Sequence, residues 1–313
     1  MRTGAVVLAA GHKSSQNMFQ PMLKVGDTTA IKRILITLKQ AEADPIVVIT
    51  GQDGDAVEKH ISKMRVICLR NENYETTQMF DSICMGLNYM EDLCDRVLIL
   101  PVKVPMLLKE TISCLMQSRR PAACPVYGNR RGHPVLLSRE LIPEVLEYSG
   151  PYGLRSFLRD PRISPMVEEI PVEDEGIILE IESDEDCKRA LGAVGKRRIP
   201  LYGKSNVYLG REEKFFGPGI AQLLQLVDHT GSLQTACSQM HMSYSKGWKI
   251  IKTAEKQLGY PVVYAQSGGA TGGFTQLTPK GRDFLNRFLK MEEEVEMETK
   301  RLFEKYFGEA LGL

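Results

Sequence analysis

The chain has 313 residues, about twice a common domain length, and its 43% hydrophobic and 25% charged content excludes wholesale disorder. No apolar run reaches the ~18 residues of a membrane span, and the opening MRTGAVVLAAGH holds no secretory hydrophobic block. Seven cysteines, an odd count with no CxxC pair, exclude a disulfide framework and a cysteine zinc site, so a reducing, cytoplasmic setting is expected.

The net charge of +1 hides a gradient. Residues 1–200 hold 26 Lys/Arg against 27 Asp/Glu, residues 201–290 hold 11 against 5, and residues 291–313 hold 3 against 7. The basic central block is the electrostatic footprint of a phosphate-backbone binder.

In chain order, Gly4–Ala10, Ile46–Thr50, Val66–Leu69 and Val97–Leu100 read as buried strands rich in Val, Ile and Leu. Between them, Thr28–Ala43 places Ile31, Ile34, Leu35 and Leu38 on one helical face, and Asp53–Ile61 and Tyr74–Met90 fill the next gaps as helices. This alternation predicts an α/β domain over residues 1–195, with a doubly wound, mostly parallel sheet. Ligands of such a sheet sit beyond the carboxyl ends of the strands, in the loops after Ala10, Thr50 and Leu100.

The first of these loops, LAAGHKSSQNMFQPMLKVGD over residues 8–27, carries small residues Leu8, Ala9, Ala10 and Gly11 directly after a strand, where backbone N–H groups can approach a phosphate. It resembles the nucleotide-binding loop of the molybdopterin nucleotidyltransferases, whose pattern is roughly LAAGxSxRMGxxKxLLPxxG. The resemblance continues through ITG at 49–51, NENYETTQMFDSICMGL at 71–87, PVKVP at 101–105, RRGHPVLLSREL at 130–141 and GIILEIESDEDCKRAL at 176–191. It implies a cleft that takes CTP, GTP or a molybdopterin-type compound. Leu8 to Gly11, Lys13, Lys24, Asp81, Ser82, Lys103, His133 and Glu182 are its candidate liners.

The departures are as informative. The family's arginine and lysine for the triphosphate fall at Ser15 and Gln20, and its second loop glycine at Asn17. Its metal-binding aspartate, in a P-x-D-x-P turn, is Lys103, and its second acidic site falls at Glu182, with Glu180 at the earlier acidic position. Each lost electrostatic contact of this kind typically costs ~10²–10³ in rate, and a lysine repels the Mg²⁺ that the chemistry needs. The expectation is a cleft with weak or absent transferase chemistry. Lys103 then either places its ammonium at the vacated metal position or points into solvent. His133, in the GHP turn, is expected to hydrogen-bond the ligand. Asp81 and Ser82 either line the cleft or serve the start of a helix.

Residues 196–204, opening on Lys196-Arg197-Arg198, read as a linker, and 205–313 as a second domain. After FFGPG, a helix carries Ile220, Leu223, Leu224 and Val227 on one face. Ser232 then caps a short helix and Ser243 a longer, basic one, a helix-turn-helix pattern. In the longer helix Trp248, Ile251 and Leu258 fall at core spacing, whereas Lys246, Lys249, Lys252 and Lys256 lie three or four apart on another face. The candidate duplex contacts are Ser243, Tyr244, Ser245, Lys246, Lys249 and Lys252, with the wing glycines Gly268, Gly269 and Gly272 of SGGATGG.

The strings FFGPGIAQLLQLVDHTGSLQTAC, MSYSKGW, EKQLGYPVV, GGATGG and LTPKGRDFL resemble the DNA-binding half of ModE-type molybdate-responsive regulators, related to the LysR-type winged helix. This implies double-stranded DNA as partner and a homodimer. Phe284, Phe288, Met291, Val295 and Leu302 form a heptad-like stripe on a final helix, to be buried against a partner subunit or its own domain. The leading expectation is a dimeric DNA-binding regulator whose nucleotidyltransferase-like domain senses a small ligand. The alternatives are a working cytidylyl- or guanylyltransferase that also binds DNA, and an N-terminal domain that binds only another protein.

Overall fold

The computed structural model describes residues 1–11, 20–195, 199–266 and 274–311. The chain divides into two compact units, Met1–Ile199 and Pro200–Leu313.

The first unit runs β1 (Thr3–Ala9), β2 (Lys24–Val25), β3 (Thr28–Thr29), α1 (Ala30–Gln40), β4 (Ile46–Thr50), α2 (Gly54–Ile61), β5 (Ile67–Arg70), α3 (Met79–Met90), β6 (Arg96–Pro101) and α4 (Lys109–Gln117). It continues through β7 (Ala122–Tyr127), β8 (Arg130–Arg131), β9 (Val135–Ser138), α5 (Ile142–Glu147), α6 (Leu154–Phe157), β10 (Val167–Pro171) and α7 (Asp184–Ala193). The main sheet has the order β10-β7-β9-β6-β1-β4-β5, with β8 beside β7. β1 pairs parallel with both β4 and β6, and β4 with β5, while β9 runs antiparallel between β6 and β7. All seven residues of β1 are buried, the pattern of a central strand covered on both faces. On α1, Ile31, Ile34, Leu35 and Leu38 are fully buried, as their spacing requires.

Two expected helices start later than the periodicity suggests. Thr28–Thr29 pairs antiparallel with Lys24–Val25 and leaves α1 to begin at Ala30, and residues 72–76 form turns, with Gln78 extended, before α3 begins at Met79. In both cases apolar spacing continues past the point where the backbone turns away to make other hydrogen bonds.

The second unit holds β11 (Leu209–Gly210), β12 (Lys214–Phe216), α8 (Pro218–Thr230), α9 (Leu233–Gln239), α10 (Tyr244–Leu258), the hairpin β13 (Val263–Gln266) and β14 (Phe274–Leu277), and the 33-residue α11 (Pro279–Leu311). Ser232 and Ser243 accept hydrogen bonds from the backbone N–H groups of Thr235 (3.2 Å) and Lys246 (3.3 Å), which fixes the starts of α9 and α10. Gly231 and Gly259 end α8 and α10 in the left-handed region, where a side chain would be strained.

One core assignment is corrected. Trp248 and Leu258 are only half-buried, and the inward face of α10 is Gly247, Ile251 and Ala254. The reason is close helix packing: a Cβ on Gly247 would meet Cys237 Sγ at 2.3 Å, so the smallest residue, not the largest, faces α9. Of the two settings expected for Phe284 and Phe288, a partner subunit or their own domain, the fold shows packing within the unit. Both stack edge-on against Phe216 at 4.9 Å; Phe288, 2% exposed, belongs to this unit's own core, and Phe284 stays half-buried at its edge. Met291 is half-buried, while Val295 and Leu302 remain exposed further along α11.

Candidate functional site

The carboxyl ends of β1, β4 and β6 converge as the doubly wound topology requires. Leu8, Ala9 and Ala10 are buried, and the Leu8 carbonyl accepts from the Val102 N–H at 2.9 Å. Gly51, of the ITG string, presses on this turn: a Cβ there would lie 2.7 Å from the Ala10 carbonyl and 2.8 Å from Tyr74 Cβ. Gly11 is exposed, and among the described residues a Cβ on it would meet only the Gln20 side chain, at 4.0 Å. Lys24 is exposed on β2, and its carbonyl accepts from the Cys187 thiol at 3.1 Å. Lys13, Ser15 and Asn17 lie outside the described residues.

Beyond β6, Lys103 does not point into open solvent. Its ammonium lies 2.7 Å from Glu180 and 3.4 Å from Glu182, with the side chain 27% exposed. The Ile181 N–H donates to the Lys103 carbonyl at 2.7 Å, and Ile181 is buried, so the carboxylates on either side of it face the same way. Burial works against the ammonium charge, but the hydrogen bonds and charges of Glu180 and Glu182 outweigh it and hold the Lys103 pKa above its ordinary value. A divalent ion about 4 Å from this ammonium would meet repulsion of about 8 kcal/mol at an effective dielectric of 20. The two carboxylates already have their cation, so the residues present do not fit a divalent metal while Lys103 is in place. One ammonium and two carboxylates also leave the cluster net negative, so it does not by itself attract a phosphate.

Opposite lies the GHP turn. Gly132 has no room for a side chain, since a Cβ would meet Ile177 at 2.7 Å, and the His133 N–H donates to the Ile177 carbonyl at 3.0 Å. These contacts tie the turn to the segment that carries Glu180. His133 Nδ1 is buried and has no hydrogen-bond partner among the described residues. Burial pushes the imidazole down to about 4, Glu180 opposing and Lys103 assisting, so the ring is neutral at pH 7.

Asp81 and Ser82 serve the fold. Asp81 accepts from the Gln78 N–H at 2.7 Å at the start of α3, and buried Ser82 accepts from Asn71 at 3.2 Å. Asn71, which the sequence reading did not single out, organises the whole turn. Its side chain also donates to Thr77 (2.9 Å) and accepts from the Asn73 N–H (3.0 Å). Its only sequence signal was its place directly after a strand. A cavity of about 380 Å³ opens here, lined by Gly51, Asp53, Arg70, Asn71, Glu72 and Tyr74, with neither Lys103 nor His133 in its wall.

In the second unit, Ser243, Tyr244, Ser245 and Lys246 are exposed at the start of α10, as are Lys249, Lys252 and Lys256 along it. Lys252 is not idle: its ammonium lies 2.7 Å from Glu255 and 5.2 Å from the Trp248 ring centroid. Glu255 in turn accepts from the Val262 and Val263 N–H groups at 2.9 and 3.3 Å, joining α10 to the entry of the β13–β14 hairpin. Gly268, Gly269 and Gly272 lie outside the described residues. Among the described residues, no helix is long and apolar enough to cross a membrane.

Comparison with known proteins follows the same division. The C-terminal region is similar to molybdenum transport protein ModE of Azotobacter vinelandii, 32% identical over 84 residues, or 27% of this chain and 31% of that protein. It is also similar to molybdenum-pterin-binding protein MopB of Rhodobacter capsulatus, 32% identical over 89 residues, or 28% and 33%. The chain thus spans about a third of the length of these curated relatives. In fold it resembles Rv0371c of Mycobacterium tuberculosis, with a TM-score of 0.54 and 21% identity over 61% of this chain and 98% of that one. The model of the MobA-like NTP transferase domain matches residues 5–166, over half of the sequence, and the chain therefore belongs to that family, fused to a ModE-type domain.

Proposed function

We propose that this protein is a homodimeric, DNA-binding regulator of molybdenum metabolism. Its N-terminal domain binds a nucleotide or a molybdopterin-type ligand as a sensor and carries little or no transferase chemistry. The observation that carries the reading is the exposed face of α10, where Lys246, Lys249, Lys252 and Lys256 follow a capped start bearing Tyr244 and Ser245. A helix presented in this way next to a hairpin suits the major groove, with lysines on phosphates and the first turn on base edges. The names of the two curated relatives, one in molybdenum transport and one in molybdenum-pterin binding, support the metabolic assignment. The ion cluster at Lys103 supports the loss of chemistry, because nucleotidyl transfer needs charge neutralisation at the α-phosphate. Ligand phosphates are then left to loop one and its lysines, Lys13 and Lys24, and the pterin or base to His133. Dimerisation uses the distal part of α11, where Val295, Met297, Leu302, Tyr306 and Phe307 are exposed.

Titration of Trp248, the only tryptophan, with duplex DNA at several salt concentrations tests the reading. A fluorescence change with affinity falling steeply in salt is expected. Absence of binding together with brisk pyrophosphate release from CTP or GTP plus pterin would reverse the assignment. Calorimetry with CTP, GTP and a molybdopterin-type ligand in EDTA tests the sensor role, and heat from at least one of them is expected.

A further inference from the structure

We propose that the Lys103 ammonium is a tethered replacement for the divalent cation of this fold, and that it excludes Mg²⁺ and Mn²⁺ from the Glu180–Glu182 carboxylates. The geometry is that of a cation site with its cation built in. Two carboxylates flanking buried Ile181 face one ammonium at 2.7 and 3.4 Å. The segment is fixed from both sides. The Ile181 N–H is bonded to the Lys103 carbonyl, and Ile177 is held by Gly132 and the His133 N–H. The register between the two stretches is therefore set by backbone, so the Lys103 side chain rises between the two acids. An ammonium satisfies carboxylates as a point charge with three donors, but it offers no open coordination position for a second ligand, as a metal ion does. A domain so equipped keeps the electrostatics that hold 176–182 in place at any metal concentration, whereas a metal-holding relative would lose them on chelation.

The proposal rests on the family fold and is independent of DNA binding. It is tested by manganese titration of the full chain, followed by electron paramagnetic resonance, comparing wild type with Lys103→Asp and Lys103→Ala. Wild type is expected to bind no Mn²⁺ that depends on Glu180. Lys103→Asp is expected to gain one equivalent, at least about tenfold tighter than any wild-type binding, and to lose it again when Glu180→Gln and Glu182→Gln are added. The proposal is overturned if wild type binds one Mn²⁺ that Glu180→Gln abolishes, or if a folded Lys103→Asp gains none. Should the aspartate prevent folding, the same gain is required of Lys103→Ala, and a folded alanine variant without it also overturns the proposal. Duplex affinity, read on the same proteins, is expected to stay at the wild-type level whichever way the metal result falls.

Discussion

Replacing Phe288 by alanine distinguishes a core residue from an interface residue. The ring is 2% exposed and meets Phe216 edge-on at 4.9 Å, with Phe284 on the same partner. A buried Phe→Ala change costs about 3–5 kcal/mol through lost transfer energy and the cavity left behind, and part of this comes from the aromatic pair. With a urea slope of about 2 kcal/mol/M, the unfolding midpoint of the second unit should fall by about 2 M. Trp248 is the only tryptophan and lies in that unit, so its fluorescence reads this transition without interference from the first. The fall should be the same across a wide range of protein concentration. Leu302→Ala, at a position 37% exposed, should leave the midpoint of dilute protein nearly unchanged. A fall below about 0.5 M, or one that disappears as concentration rises, would refute the assignment of Phe288 to the unit's own core.

Other perturbations follow from the same geometry. Asp174, 1% exposed, accepts from the Leu108 N–H and Thr111 hydroxyl, both at 2.8 Å, and from the Gly176 N–H at 3.0 Å; Asp174→Ala should cost the first unit about 3 kcal/mol or more by thermal melting. His133 is held neutral with a pKa of about 4 against an ordinary 6.5, so the unfolded state binds the extra proton between these values. Stability from this group is therefore full above pH 6.5 and lost as pH falls towards 4, by about 3 kcal/mol, and His133→Gln should flatten that part of the pH–stability curve. If α10 enters DNA as proposed, Lys249→Ala should reduce the salt slope of binding by about one, and Lys252→Ala by less, because Glu255 and Trp248 already engage its ammonium. Equal slopes for the two variants would count against that distinction. Gly247→Ala should loosen α9 from α10, costing about 1–3 kcal/mol by melting, since the new methyl group would press on Cys237 Sγ.

The strands β1, β4, β5 and β6 were legible because buried parallel strands are continuous apolar runs, and α1 because its four core residues repeat at helical spacing. What escaped was set by contacts far apart in sequence. The antiparallel β9 is short, and no local pattern gives its direction between β6 and β7. Apolar spacing assigned Trp248 inward, but Gly247 faces α9, and a large residue has no place there. Phe284 and Phe288 have the same spacing whatever they face, and their shared packing on Phe216, some seventy positions earlier, shows only in the fold. The candidate site divided in the same way. Lys103 stood out as the wrong charge in its motif, but its pairing with Glu180 spans 77 positions and depends on the register of two segments. Asp81 and Ser82 were ambiguous in sequence because the residue types that bind ligands also begin helices.

Glu255 is the one acid among the lysines of α10, and it is spent inward, on Lys252 and on the two amides that open the hairpin. The helix and the root of the hairpin are thereby joined through a single carboxylate. At this junction little ordering is left to be paid when another molecule arrives. Glu255→Ala would add positive charge to the face and yet strip two part-buried amides of their acceptor where helix and hairpin meet.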